Sequence, residues 1–288
     1  MRAMGTAGQG SRGKWLGGMA WVFFTVIFSA VALGAQPSWD GVKPVLPQPA
    51  LKVGEGLAVT LGDGEVRLYG EAQREAPMGG LAKLVWMRLE GAQWSTTNVQ
   101  FRCQGASTST VCRIGGGHGR VGVGRALQED CDLAFLAWIQ ATQAQWKKDY
   151  GDDAGRVRLE EAFAPFLGRR LPPGEGLSPL TPAWVGDGDL LRTSPDAFLR
   201  WLMEPDKAEV ITFGRRFLSG FWGEVKDLVG KEGWWFMTAT APVPGVPSVT
   251  SAWVAGGRGP MLVVFHLPRG KGKPEGLARL REILGLKS

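Results

Sequence analysis

The chain has 288 residues, 33 lysines and arginines against 27 acids, and a formal charge of +6. Arg2, Arg12 and Lys14 fall within the first 35 residues, which hold no acid, so the remainder carries only +3. A net charge this mild, on cations scattered rather than striped, does not imply a nucleic-acid partner, and an apolar fraction of 44% is ample for a folded core.

In chain order, residues 1–14 are polar and basic, and Trp15 to Leu33 is uncharged and mostly apolar. The small residues of Ala32-Leu33-Gly34 then precede Gln36-Pro37, as at a signal-peptidase site. The apolar run is also long enough to span a bilayer as an uncleaved anchor. In either form the basic flank stays inside and the rest is exported. Residues 1–35 are therefore expected to be a signal peptide or N-terminal membrane anchor. Residues 36–50 are expected to be an extended Pro-rich linker, and 51–288 the folded domain.

Leu57 to Leu61 and Glu65 to Tyr69 flank Gly62-Asp63-Gly64, which predicts a β-hairpin with Asp-Gly turn chemistry. Ala76 to Glu90 opens with Pro-x-Gly-Gly and continues as a segment apolar on nearly every side, the pattern of a buried helix. Lys83 lies in its first turn. An isolated buried ammonium is too costly, so Lys83 needs a partner, a lowered pKa, or a route to solvent along its own stem.

A short strand is expected near Asn98 to Arg102, followed by a loop of small residues over 103–117 that runs into Gly115-Gly116-Gly117-His118-Gly119. No Lys-Ser/Thr follows these glycines, so they do not read as a phosphate cradle. Helical patterns cover 124–148, 156–166, 195–204 and 206–222. Strand-like runs follow at Trp234 to Thr240, Thr250 to Ala255 and Met261 to Leu267, separated by Pro/Gly turns. An amphipathic helix from Glu275 to Leu284 ends the chain. The order hairpin, helices, strands, helix predicts an α+β fold: an antiparallel sheet with flanking helices and an inserted all-helical part over about 103–222.

Export places the three cysteines where disulfides form. Cys103 and Cys112 flank a short Ser/Thr-rich loop and are the expected pair, a closure contributing about 2–3 kcal/mol. Cys131 would remain as a small buried apolar residue. The spacing does not suit a zinc site, and with two histidines neither metal nor cofactor is expected. His118 reads as a loop residue, His266 as structural, and Trp222, Trp234 and Trp235 as core. Lys271 and Lys273, in a Gly-rich loop before the last helix, read as solvated.

Three strings, in this order, carry a family resemblance. Met78-Gly79-Gly80-Leu81-Ala82-Lys83 resembles a Ser-x-x-Lys signature with Gly80 at the Ser position. Ala126-Leu127-Gln128-Glu129-Asp130-Cys131-Asp132 resembles a Ser-x-Asn region, with Asp130 and Asp132 in place of Ser and Asn. Met237-Thr238-Ala239-Thr240-Ala241 resembles Lys-Thr-Gly-Thr-Ala, with Met for Lys and Ala for Gly. Gly186 to Pro195 and Ser251 to Gly256 add supporting strings. Over roughly residues 55–288 the chain resembles the penicillin-binding transpeptidases and serine β-lactamases, with all three signatures degenerate.

That resemblance implies a fold with the Ser and Lys positions on one helix face. It also implies an oxyanion hole of backbone N–H groups at Gly80 and Thr240. Gly80 has no side chain to acylate, and Met237 lacks the cation that would hold a substrate carboxylate. The expectation is an exported, non-catalytic protein, periplasmic or on the outer face of the cytoplasmic membrane. It would act as a binding or scaffold protein on peptidoglycan stem peptides or an envelope protein, and touch membrane only through the N-terminal segment. The alternative is an acyl-transfer enzyme with Cys131 as relocated nucleophile, although two flanking carboxylates oppose thiolate formation. If the fold holds, Asp130 and Asp132 should approach Lys83 and keep its amine charged.

Overall fold

The hairpin forms where the turn chemistry places it. β1 (Gly56–Thr60) pairs antiparallel with β2 (Val66–Gly70), with Thr60 opposite Val66. Gly62 and Gly64 adopt positive φ, and the Asp63 carboxylate accepts the Glu65 N–H at 3.1 Å. The computed structural model describes residues 49–96, 99–105, 116–168, 181–218, 233–270 and 272–286. The expected signal or anchor segment, nearly all of the linker, Cys112, Trp222 and Lys271 lie outside these.

β3 (Ala76–Pro77) leads through a 3-10 turn at Gly79–Leu81 into α1 (Ala82–Thr96). β4 (Gln100–Cys103) and β5 (Gly119–Gly122) form a small hairpin of their own. Helices α2 (Val123–Gln128), α3 (Asp132–Tyr150) and α4 (Asp152–Phe163) follow. β6 (Arg192–Thr193) pairs with β3, and α5 (Pro195–Met203) and α6 (Ala208–Leu218) complete the helical part that is described. β7 (Trp235–Val243), β8 (Val246–Arg258) and β9 (Met261–Gly270) return to the sheet, and α7 (Lys273–Ile283) closes the domain.

The main sheet is antiparallel throughout, in the order β2-β1-β9-β8-β7. The chain thus starts the sheet, leaves to build the helices, and returns to pair β9 with β1. This is the expected α+β arrangement. Alternation along β7 sorts its side chains: Trp235, Met237, Ala239 and Ala241 join the core shared with α1, while Phe236 joins the core shared with α7. A bidentate ion pair from Arg279 to the buried Glu55 (2.8 and 3.0 Å) ties α7 to the entrance of β1.

α1 is buried on nearly every side, as its sequence predicts. Leu84, Val85, Trp86 and Met87 are all buried, and the Trp86 ring stacks on Trp94 and Trp146. The Trp86 indole N–H donates to the Trp184 carbonyl at 2.8 Å, which satisfies the polar edge of a ring held among apolar neighbours. Removing a ring packed this way costs about 3–5 kcal/mol.

One expectation needs correction. The helix read over 124–148 is two helices, broken at Glu129 to Cys131. Asp130 takes φ 51, the one positive φ outside glycine among the described residues. Nothing in the string Gln128 to Asp132 is a helix breaker in itself, but the turn aims Asp130 and Asp132 at the first turn of α1.

Candidate functional site

The centre is built on the entry to α1. Gly79 has φ +55, and a side chain there would place its Cβ on the Thr240 carbonyl oxygen of β7. Glycine is therefore required where β7 runs closest to the turn. A Cβ on Gly80 would lie 2.8 Å from Asp130 Oδ1, 3.3 Å from Lys83 Nζ and 3.3 Å from Ala239 Cβ. Position 80 therefore faces the point where the three degenerate strings converge, and it carries no functional group.

Lys83, with a side-chain exposure of 0%, is enclosed. Its ammonium donates to Asp130 Oδ1, pairs with Asp132 Oδ1, and lies 5.7 Å from the centre of the Phe135 ring. Asp130 uses its other oxygen to accept from the Lys273 ammonium at the start of α7. Lys273, Asp130, Lys83 and Asp132 thus form a continuous chain of opposite charges with no net charge. Asp132 also occupies the first turn of α3, where the helix dipole favours an anion.

Burial alone would lower the Lys83 pKa, but the adjacent Asp130 and Asp132 carboxylates outweigh it and hold the amine above its ordinary range. Burial would raise Asp130, yet Lys273 and Lys83 together hold it well below the usual carboxylate range. Asp132 is shifted upward, first by burial and further by the neighbouring Asp130 charge, against the pull of Lys83. The arrangement does the opposite of what a general base requires. It fixes a charged amine, and nothing at position 80 has a proton for it to take.

On β7, Met237 and Ala239 are buried on the α1 side, at the positions the third string assigns. Thr238 is buried, and its hydroxyl finds no hydrogen-bond partner among the described residues. Thr240 is half-buried at the edge of the sheet. Gly80, Lys83, Asp130, Asp132 and Ala239 are therefore gathered at one point, and Thr240 comes to it through its backbone.

Lys273 corrects the sequence reading, which left it solvated. Its side chain is 21% exposed and committed to Asp130. In the structure it is the first residue of α7, where a cation opposes the helix dipole and the Asp130 carboxylate compensates. His266 is buried and packs in a tilted arrangement against Trp253, with ring centres 4.2 Å apart, and burial drives its pKa down to about 4.

The expected Cys103–Cys112 disulfide involves a residue outside those described, and no disulfide occurs among the described residues. Cys103 instead lies against His118 and Cys131, bringing together three residues the sequence treated separately. Burial raises the Cys103 thiol, but hydrogen bonds from the His118 backbone and ring, the Gly105 N–H and the Cys131 thiol draw it down to about 6. Cys131 itself is fully buried.

No family model and no curated protein matches the sequence. Solved structures do match the fold. The class D β-lactamase FUS-1 (OXA-85) of Fusobacterium nucleatum subsp. polymorphum aligns over 80% of this chain and 91% of its own, with TM-score 0.52 and 12% identity. Penicillin-binding protein 2B of Streptococcus pneumoniae aligns over 81% of this chain, with TM-score 0.53 and 10% identity. PBP2 of Pseudomonas aeruginosa, solved in complex with WCK 5153, aligns over 75%, with TM-score 0.51 and 12% identity. The chain spans 62% of that PBP2 chain and 53% of the 2B chain. At such identities the likeness concerns fold, and it agrees with the convergence of the three degenerate strings at Gly80. The chain has the fold of the penicillin-binding transpeptidases and serine β-lactamases.

Proposed function

We propose that this is an exported, non-catalytic transpeptidase-like protein, which acts at the cell envelope by binding peptidoglycan stem peptide or an envelope protein. The observation that carries the reading is the Lys83 ammonium enclosed between Asp130 and Asp132 beside a glycine. Acyl transfer of this type needs a nucleophile and a group free to take its proton. Loss of the nucleophile alone costs on the order of a millionfold in a serine protease. Here the nucleophile is missing, and the amine beside it is held charged in an ion pair.

Binding does not need those groups. β7 is an edge strand beside the site, and an edge offers its backbone to an extended peptide. Thr240 lies on that edge. Export rests on the basic and apolar pattern of residues 1–35, and a periplasmic or membrane-anchored location follows from it. Cys131 as a relocated nucleophile is disfavoured by its complete burial, since a substrate carbonyl must reach the sulfur.

The test is intact-mass analysis of the full-length protein after incubation with a fluorescent penicillin, alongside co-sedimentation with purified peptidoglycan sacculi. The expected result is no covalent adduct at any site. A stoichiometric adduct would overturn the non-catalytic reading. Association with sacculi would identify stem peptide or glycan as the ligand, and its absence would leave an envelope protein as the partner class.

A further inference from the structure

We infer that Cys103, His118 and Cys131 form a site for one thiophilic metal ion, distinct from the centre at Gly80 and Lys83. The Cys sulfurs and a His118 ring nitrogen all lie within 4.8 Å of one another. His118 Nδ1 stands 3.4 Å from Cys103 Sγ. Ligand atoms about 2.0–2.3 Å from a shared zinc ion stand about 3.5–3.8 Å apart in a tetrahedron, so small side-chain rotations complete the set. Two thiolates and an imidazole select Zn(II) or Cu(I) over the hard cations.

The fold builds this cluster from three separate elements. Cys103 ends β4, opposite Gly119 on β5, which puts His118 one residue before the paired position. Gly117 turns with φ +72, and a side chain there would strike the Cys103 carbonyl, so the chain can bring His118 back over Cys103 only with glycine at 117. Cys131 arrives from the break between α2 and α3, where its N–H donates to the Ala126 carbonyl at 2.8 Å. Two buried thiols alone would be ordinary core. Here three ligand-type atoms, from β4, the residue before β5 and the α2–α3 break, meet within a buried cluster, with exposures of 1%, 8% and 0% for Cys103, His118 and Cys131.

Cys131 also lies between Asp130 and Asp132 in sequence. An ion held by Cys131 would fix the turn that aims both carboxylates at Lys83, joining metal occupancy to the shape of the neighbouring centre.

The experiment uses the full-length protein purified under reducing conditions. Metal content is measured by mass spectrometry as purified, and again after chelation and reloading with Zn(II) or Cu(I) in separate arms. Co(II) serves as a spectroscopic probe of thiolate ligation. The expected result is one equivalent of Zn(II) or Cu(I), the arms showing which, with sulfur-to-cobalt charge-transfer bands in the Co(II) form. Chelation should lower the melting temperature of the unmutated protein and reloading should restore it. Cys103→Ser and Cys131→Ser should each weaken binding at least about 100-fold. The chelation readout needs no variant, so a variant that fails to fold does not decide the matter. Absence of bound metal with no charge-transfer band in the reduced protein would overturn the site, as would a Cys103–Cys131 disulfide found in a parallel preparation made without reductant.

Discussion

Lys273 and Asp130, 143 positions apart in sequence, share a charged hydrogen bond on the oxygen of Asp130 that Lys83 does not use. Through this bond α7 is tied to the centre at the entry of α1. Position 237, which holds a lysine in the third signature, holds a buried methionine here, and a cation from a different element stands beside the site instead.

Asp130 is expected to matter most for stability, because it serves two cations. Asp130→Ala should destabilise the protein by about 3–5 kcal/mol in urea unfolding, since it removes a partner from a buried charge. Asp132→Ala should cost less, because the Asp132 side chain is 27% exposed and Asp130 still holds Lys83. Adding Lys83→Met to Asp130→Ala should recover most of the loss. A double variant no more stable than the single one would show that the pair is not coupled.

The pH dependence follows from the directions of the shifts. Asp130 is held below its ordinary 3.8, so its contribution is present above that pH and is lost as pH falls further, toward its folded-state value. Asp132 is shifted upward and works against this on the acid side. Lys83 is held above its ordinary 10.5, so its contribution is full below that pH and fades as pH rises beyond it. Unfolding free energy measured against pH should therefore fall more steeply below 3.8 in the unmutated protein than in Asp130→Asn.

Restoring the hydroxyl should not restore acylation. In Gly80→Ser the new Cβ comes within 2.8 Å of Asp130 Oδ1, and the Lys83 amine remains committed to carboxylates. The variant should stay unlabelled by fluorescent penicillin and lose about 1–3 kcal/mol of stability from overpacking. A companion variant adding Asp130→Ser, Asp132→Asn, Met237→Lys and Ala239→Gly tests whether the scaffold still supports the chemistry. Labelling of the single variant would show that Gly80 is the only essential loss.

Gly79→Ala probes the approach of β7 to the α1 entry. It combines an unfavourable positive φ with a clash on the Thr240 carbonyl, each a cost of about 1–3 kcal/mol. The melting temperature should drop clearly, and an unchanged value would mean that β7 can move away from the turn.

The legible parts of this site were those fixed by burial energetics and by ordered strings. A lysine inside an apolar helix must find a counter-charge, and Asp130 and Asp132 supplied it as the second string implied. The strand-like run from Trp234 to Thr240 was legible as a strand, and β7 (Trp235–Val243) contains most of it. Lys273 was not legible, because its reach depends on how α7 returns to the sheet, and no local string records that. The break at Asp130 has no glycine or proline to announce it, so two helices read as one. The meeting of Cys103 with His118 depends on the β4–β5 register. β5 is bounded by Gly119 and Gly122 and lacks the alternation that marks a strand.

The most direct test of the central claim is the protonation state of Lys83, followed by heteronuclear NMR of its Nζ across a pH titration, with Lys83→Arg used to assign the signal. An amine clamped between Asp130 and Asp132 should keep its ammonium signal, slow to exchange with water, past pH 10.5, where an ordinary lysine loses its proton. A Lys83 amine that becomes neutral near pH 7–8, the range of a working general base, would contradict the account.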